Sequence, residues 1–189
     1  MEEIEVKFLN INIDEIEKKL TELGAVKKYD RIFKRKIFDY PDLRLDDIGA
    51  FVRLRDEGNR IALTYKRRIG MTDDGSNDEG MEEIETTVEN FDNTSLILEK
   101  IGLTEKLNEE QRRIHYTLNE ISFDIDIWPL LNPYLEIEAQ SWEDINKAIE
   151  MLGLNPEDKK IFTTMQVYEL EGIDELEFKK LTFEEQIKR

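Results

Sequence analysis

"EEIEVKF", residues 2 to 8, decides how the fold is read. Laid out as a strand, it puts Glu3, Glu5 and Lys7 on one face and Ile4, Val6 and Phe8 on the other, because successive side chains alternate. Two carboxylates two residues apart on one face repel, and the arrangement recurs along the chain. "FVRLR" carries Arg53 and Arg55 opposite Val52 and Leu54, and "MEEIETTVE" carries Glu83 and Glu85 opposite Ile84 and Val88. "ISFDIDIW" carries Asp124 and Asp126, and "YLEIEAQ" carries Glu136 and Glu138. "IALTYKR" adds Ala62, Thr64, Lys66 and Arg68 to the polar face, and "RRIHYTL" adds Arg113, His115 and Thr117. Like charges so placed call for counter-ions.

Together with a strand around Phe33 to Phe38, these segments give about eight strands, mostly in hairpin order, and so an antiparallel sheet. "DEGNR" and "NE" read as turns between neighbours. Three stretches have helical period with a start and a stop. Asn12 caps an apolar stripe of Ile13, Ile16, Leu20 and Leu23 that ends at Gly24. "NFDNTSLILEKIGL" repeats the form with Leu96, Leu98 and Ile101 before Gly102. Ser141 and Asp144 open a third stretch, with Ile145, Ile149 and Leu152 before Gly153. The fold class is therefore α+β. One domain is expected over residues 1–170, with 171–189 as a helical tail packed on it, and the Gly-rich acidic segment "RIGMTDDGSNDEG" reads as a long loop.

Composition narrows the function classes. The chain has 189 residues, a net charge of −17 and no cysteine, which excludes disulfides and thiolate metal sites and fits a reducing compartment. No apolar run approaches the roughly 20 residues of a membrane span, and the first residues resemble no signal peptide. A cytoplasmic protein is expected, with neither nucleic acid nor membrane as partner, since a field of this sign repels both. The "KRR" cluster at Lys66 to Arg68 does not alter that expectation.

A polar sheet face ordinarily meets water. If this sheet closes with its helices outside, the paired charges instead line an interior with room for one ligand. Carboxylate pairs there suit a hard divalent cation, Mg²⁺ or Mn²⁺. Arginines and lysines in the same chamber suit phosphate. Both together point to a polyphosphate.

The same residues carry a family resemblance. Glu3, Glu5 and Lys7 resemble the ExExK signature of the CYTH family, the triphosphate tunnel metalloenzymes. "FVRLR", "LTYKRR", an E-x-E strand, an R-x-x-Y strand, "FDID" and "YLEIE" follow in the family's order, so the resemblance runs from about Glu3 to Tyr168. It implies a closed eight-stranded antiparallel β-barrel forming a tunnel, with helices packed outside. It implies that Lys7, Arg53, Arg55, Lys66 and Arg113 bind the triphosphate. Glu3, Glu5, Asp126, Glu136 and Glu138 would hold metal, with Glu5, Lys66 and Asp126 as the catalytic set. Glu83, Glu85, Asp124 and His115 would complete the lining. Two departures stand out: Gln111 replaces a lysine the family often has, leaving Lys106 as a possible substitute, and "WPLLNP" replaces a Gly-rich approach to the last strand.

The implied activity is phosphoryl transfer in either of two forms. Class IV adenylyl cyclase-like chemistry turns ATP into cyclic AMP and pyrophosphate, and triphosphate hydrolysis acts on ATP, thiamine triphosphate or inorganic tripolyphosphate. A non-catalytic polyphosphate- or nucleotide-binding module is the alternative. The sequence leaves open whether the protein is a monomer or a homodimer.

Overall fold

The computed structural model describes residues 4–69 and 81–189. Glu3 and most of the acidic loop therefore lie outside the described residues. The described chain is α+β, an antiparallel sheet of ten strands with four α-helices. It packs as two compact units, Met1–Arg31 with Gln111–Asp174, and Ile32–Glu110 with Glu175–Arg189.

The first unit contains β1 (Ile4–Phe8), α1 (Ile13–Glu22), β7 (Ile121–Ile127), β8 (Tyr134–Ala139), α3 (Trp142–Leu152) and α4 (Thr164–Leu170). It also takes the start of β2 (Val26–Asp39) and the end of β6 (Thr104–Leu118), in the sheet order β1-β8-β7-β6-β2. The expected caps are in place. Asn12 accepts from the Glu15 amide at 3.2 Å, and Ser141 accepts from the Asp144 amide at 3.2 Å. The helix α3 ends where Gly153 turns left-handed at φ 62°, a conformation that costs glycine little. Ile16 and Leu20 of α1 and Ile145, Ile149 and Leu152 of α3 are buried against Val6, Ile125 and Ile137 of the sheet. Each such side chain contributes about 1.5–3 kcal/mol by leaving water. The helices thus cover the apolar face and leave the charged face to other neighbours.

The second unit contains β3 (Ala50–Asp56), β4 (Ile61–Arg68), β5 (Met81–Val88), α2 (Phe91–Lys100), β9 (Phe178–Leu181) and β10 (Gln186–Lys188). With the remaining parts of β2 and β6, its order is β6-β2-β3-β4-β5. A cluster of Phe38, Leu54, Leu98 and Leu103 is buried, with Val52, Ile61, Leu63 and Val88 only partly so. In α2 only Leu98 of the expected stripe is covered, while Leu96 and Ile101 are exposed.

Three expectations change. β2 and β6 are 14 and 15 residues long, well beyond the segments with readable alternation. The tail after Gly172 is not helical: it forms a short 3-10 turn, then β9 and β10, and Leu181 pairs with Glu109 of β6. Hydrogen bonds do not close the sheet among the described residues, where β1 has a ladder only with β8 and β5 only with β4. At Lys7 the other edge of β1 is already used, since its amide and carbonyl exchange hydrogen bonds of 2.8 Å with Lys160. That residue has no backbone group left for a closing strand.

Candidate functional site

In the first unit, β1 and β8 place Lys7 opposite Glu136 and Glu5 opposite Glu138. Because the Lys7 backbone groups face Lys160, the Lys7–Glu136 and Glu5–Glu138 pairs occupy the non-hydrogen-bonded positions of the β1–β8 ladder, where side chains stand closest. On the other side of β8, Glu136 faces Asp124 of β7. Across β6 and β7, Arg113 faces Asp126 and His115 faces Asp124. Cross-strand register thus gathers Glu5, Lys7, Arg113, His115, Asp124, Asp126, Glu136 and Glu138 on one sheet face.

These groups are not a solvated face. Asp126, Asp124 and Glu136 are 0%, 5% and 8% exposed. Arg113 donates through Nε to Asp126 at 2.7 Å, through Nη1 to Asp124 at 2.9 Å and through Nη2 to Glu136 at 2.6 Å. Lys7 Nζ lies 2.9 Å from Glu136 and also bonds Glu5. His115 Nδ1 meets Asp124 at 2.6 Å, and its ring stacks on Tyr29 at a centroid distance of 5.0 Å. Four carboxylates, Glu5, Asp124, Asp126 and Glu136, share two permanent cations, Lys7 and Arg113.

The titration shifts follow from that imbalance. Burial, reinforced by Glu136 and Asp124, pushes Asp126 up to about 7 despite the pull of Arg113. Burial and Glu136 also raise Glu5. Burial opposes ionisation of Glu136, but Arg113 and Lys7 prevail and hold it below the usual carboxylate range. Burial likewise disfavours charge on Arg113, yet Asp126, Glu136 and Asp124 keep it firmly protonated.

An oxygen-only donor set of excess negative charge has the chemistry of a hard divalent cation site. Among the described residues no group of three or more such ligands converges ready-made on one point, and Arg113 and Lys7 are interleaved between the carboxylates. Glu3, the remaining expected ligand, lies outside the described residues.

In the second unit the face is predominantly basic. β3 and β4 set Arg53 opposite Thr64, and β4 and β5 set Lys66 opposite Glu83 and Thr64 opposite Glu85. Lys66 Nζ is 2.7 Å from Glu83. Glu85 accepts from Thr64 Oγ1 at 3.1 Å and lies 3.0 Å from Arg60. Arg55 Nε donates to Glu57 at 2.9 Å. Arg53 is the exception: burial, then Arg55 and Arg35, push it down to about 9.

The sequence matches the CYTH domain over residues 1–162. This chain belongs to the CYTH family. Solved structures with the same fold include the PH1012 protein of Pyrococcus horikoshii, at 22% identity over 87% of this chain and 98% of that one, with a TM-score of 0.68. A candidate adenylate cyclase of Vibrio parahaemolyticus superposes with a TM-score of 0.73, at 13% identity over 89% and 98% of the two chains. A candidate adenylyl cyclase of Hippeastrum whose dominant activity is that of a triphosphatase gives 0.59, at 13% identity over 93% and 98%. No curated protein matches the sequence.

Several charged side chains in and near the CYTH motifs have partners of their own. Arg113 is engaged by three carboxylates. Lys106 is 2.7 Å from Asp46 and, by strand parity, points away from the face of the buried Gln111. Asp39 is a turn residue: its carboxylate accepts from the amides of Tyr40, Leu45 and Asp46. Arg112 lies on the other face and pairs with Asp30 at 2.8 Å. Sequence reading missed Arg35 and Tyr29 on the odd-numbered face of β2; carrying the alternation from Phe33 forward through the recognised strand reaches Arg35, and carrying it back reaches Tyr29.

Proposed function

We propose that this CYTH protein is a divalent-metal-dependent enzyme acting on a triphosphate-bearing small molecule, with hydrolysis as its main reaction. The observation that carries this reading is the buried, internally registered carboxylate face of β7 and β8. Burying Asp124, Asp126 and Glu136 beside one another is costly, and a structural role alone calls for apolar residues at these positions.

In this proposal Glu5, Asp126, Glu136 and Glu138, with Glu3, hold Mg²⁺ or Mn²⁺. A bound divalent cation supplies charge stabilisation at the phosphate oxygens. Lys7, Arg53, Arg55, Lys66 and Arg113 bind and orient the phosphate chain. Phosphate oxygens would compete with the carboxylates for the donors of Lys7 and Arg113. Glu83 positions Lys66 through its 2.7 Å contact. Asp126, oriented by its hydrogen bond from Arg113 Nε, would take its catalytic part through its hold on the metal. The likeness to the Hippeastrum protein supports hydrolysis, and the likeness to the Vibrio protein supports cyclisation, in which the ribose 3′-hydroxyl attacks instead. The same residues serve both reactions.

The test is to incubate the protein with Mg²⁺ or Mn²⁺ and, separately, ATP, thiamine triphosphate and tripolyphosphate, and to separate the products. Orthophosphate with a diphosphate product, lost in Glu136→Gln, is expected. Cyclic AMP with pyrophosphate would make the protein a cyclase. Binding without turnover would leave a binding module.

A further inference from the structure

The proposed function leaves two charged side chains of the first unit without a part, His115 and Asp124. They stand opposite each other in the β6–β7 ladder, and Asp124 in turn faces Glu136 of β8. His115 shares its strand face with Arg113, two residues or about 7 Å along β6. The chain has no other histidine.

Asp124 is 5% exposed, and both of its oxygens are engaged. Oδ2 accepts from Arg113 Nη1 at 2.9 Å, and Oδ1 lies 2.6 Å from His115 Nδ1. A carboxylate held by a guanidinium acts as an acceptor. The hydrogen of the neutral imidazole therefore sits on Nδ1, and the lone pair falls to Nε2. The ring plane is fixed as well, stacked on Tyr29 at 5.0 Å and 20°, with Arg31 over the Tyr29 ring at 5.3 Å. Nε2 has no hydrogen-bond partner among the described residues, and the side chain is 19% exposed. A buried carboxylate that fixes one ring nitrogen and leaves the other accessible prepares a histidine for proton transfer. Packing against Tyr29 alone calls for no such partner.

We propose that His115 is a catalytic residue of this site, its Nε2 accepting the proton of the attacking water. The inference rests on the triphosphate reading above and assigns the proton transfer that reading leaves open. A carboxylate bound to a divalent cation is a poor proton acceptor, whereas His115 is joined to the carboxylate set only through Asp124. As the water oxygen bonds to phosphorus, its O–H bond breaks and the proton passes to Nε2. The bridging P–O bond breaks, and its electron pair leaves with the departing phosphate. The imidazolium then returns its proton to solvent.

The test is steady-state kinetics with Mg²⁺ and, separately, tripolyphosphate, ATP and thiamine triphosphate. In His115→Ala, kcat is expected to fall about 100-fold with KM little changed, and added imidazole should restore part of the loss from the space vacated beside Tyr29. His115→Asn, whose amide can keep the bond to Asp124 but accepts no proton, should lose as much and not respond to imidazole. Circular dichroism checks that both variants keep their fold; were His115→Ala to misfold, the kcat-against-KM split of His115→Asn decides. A loss below about tenfold in the folded variants, or a larger one in folded His115→Ala that imidazole leaves untouched, would overturn the role of His115 while the triphosphate reading stands. If the unsubstituted protein turns over none of the three compounds, both are overturned.

Discussion

Asp126 and Arg53 are each a nearly buried charge on the polar face of a strand, and the two units treat them differently. Asp126 receives two hydrogen bonds from Arg113, which also holds Asp124 and Glu136. Arg53 has two like charges beside it and a buried Nε with no acceptor among the described residues. The surroundings differ as well: in the first unit α1 and α3 cover a large buried cluster, whereas the corresponding cluster of the second unit is small. An ion-paired network can be part of a stable apoprotein. A crowded group of arginines is tolerated at a cost to stability, and such a cost is expected where a ligand relieves it.

The largest effect expected from this contrast is that of Arg113→Met. It leaves three buried carboxylates without their shared cation and should destabilise the protein by about 3–5 kcal/mol in denaturant unfolding. A loss below about 1 kcal/mol would mean that the network is wetter than its burial indicates. Next in size are the core truncations. Ile149→Ala, within the larger cluster, should cost about 3–4 kcal/mol, against about 2 kcal/mol for Leu98→Ala in the smaller one. Equal costs would remove the distinction between the two cores.

A smaller effect is one of pH. The folded-state value for Asp126 is raised to about 7, above that of the unfolded chain. The folded state therefore holds the proton more tightly, and this group's stabilisation is full below about pH 4 and fades as pH rises through about 7. Asp126→Asn should remove a slope of up to roughly 1.4 kcal/mol per pH unit from the stability profile in that window. An unchanged profile would place the titration on another member of the cluster.

Much of the charged face was legible because alternation in a strand is geometric: Glu5, Lys7, Arg53, Arg55, Lys66, Arg113, Asp126 and Glu136 all fall where parity puts them. The caps Asn12, Asn90 and Ser141 were legible for a similar local reason. What escaped depended on distant partners. In the first half of β6, "TEKLNEEQ", Glu109 and Gln111 occupy buried positions where apolar residues would have marked a strand. In β2, Val26 and Ile32 are exposed, so the apolar pattern does not outline the strand. The tail spaces Phe178 and Leu181 three apart, as a helix would, and becomes a strand through its pairing with β6 and β10. Closure of the sheet depended on which segment takes the free edge of β1, and Lys160 takes it at Lys7.

The most direct test of the account is the thermal stability of Arg53→Gln with and without tripolyphosphate. Without ligand, removing the crowded guanidinium should leave the protein equally stable or about 1 kcal/mol more stable. The unsubstituted protein should be stabilised by tripolyphosphate, and the variant should lose most of that gain. A variant that is clearly less stable alone, yet still fully stabilised by tripolyphosphate, would show that Arg53 serves the fold rather than the ligand and would contradict the account.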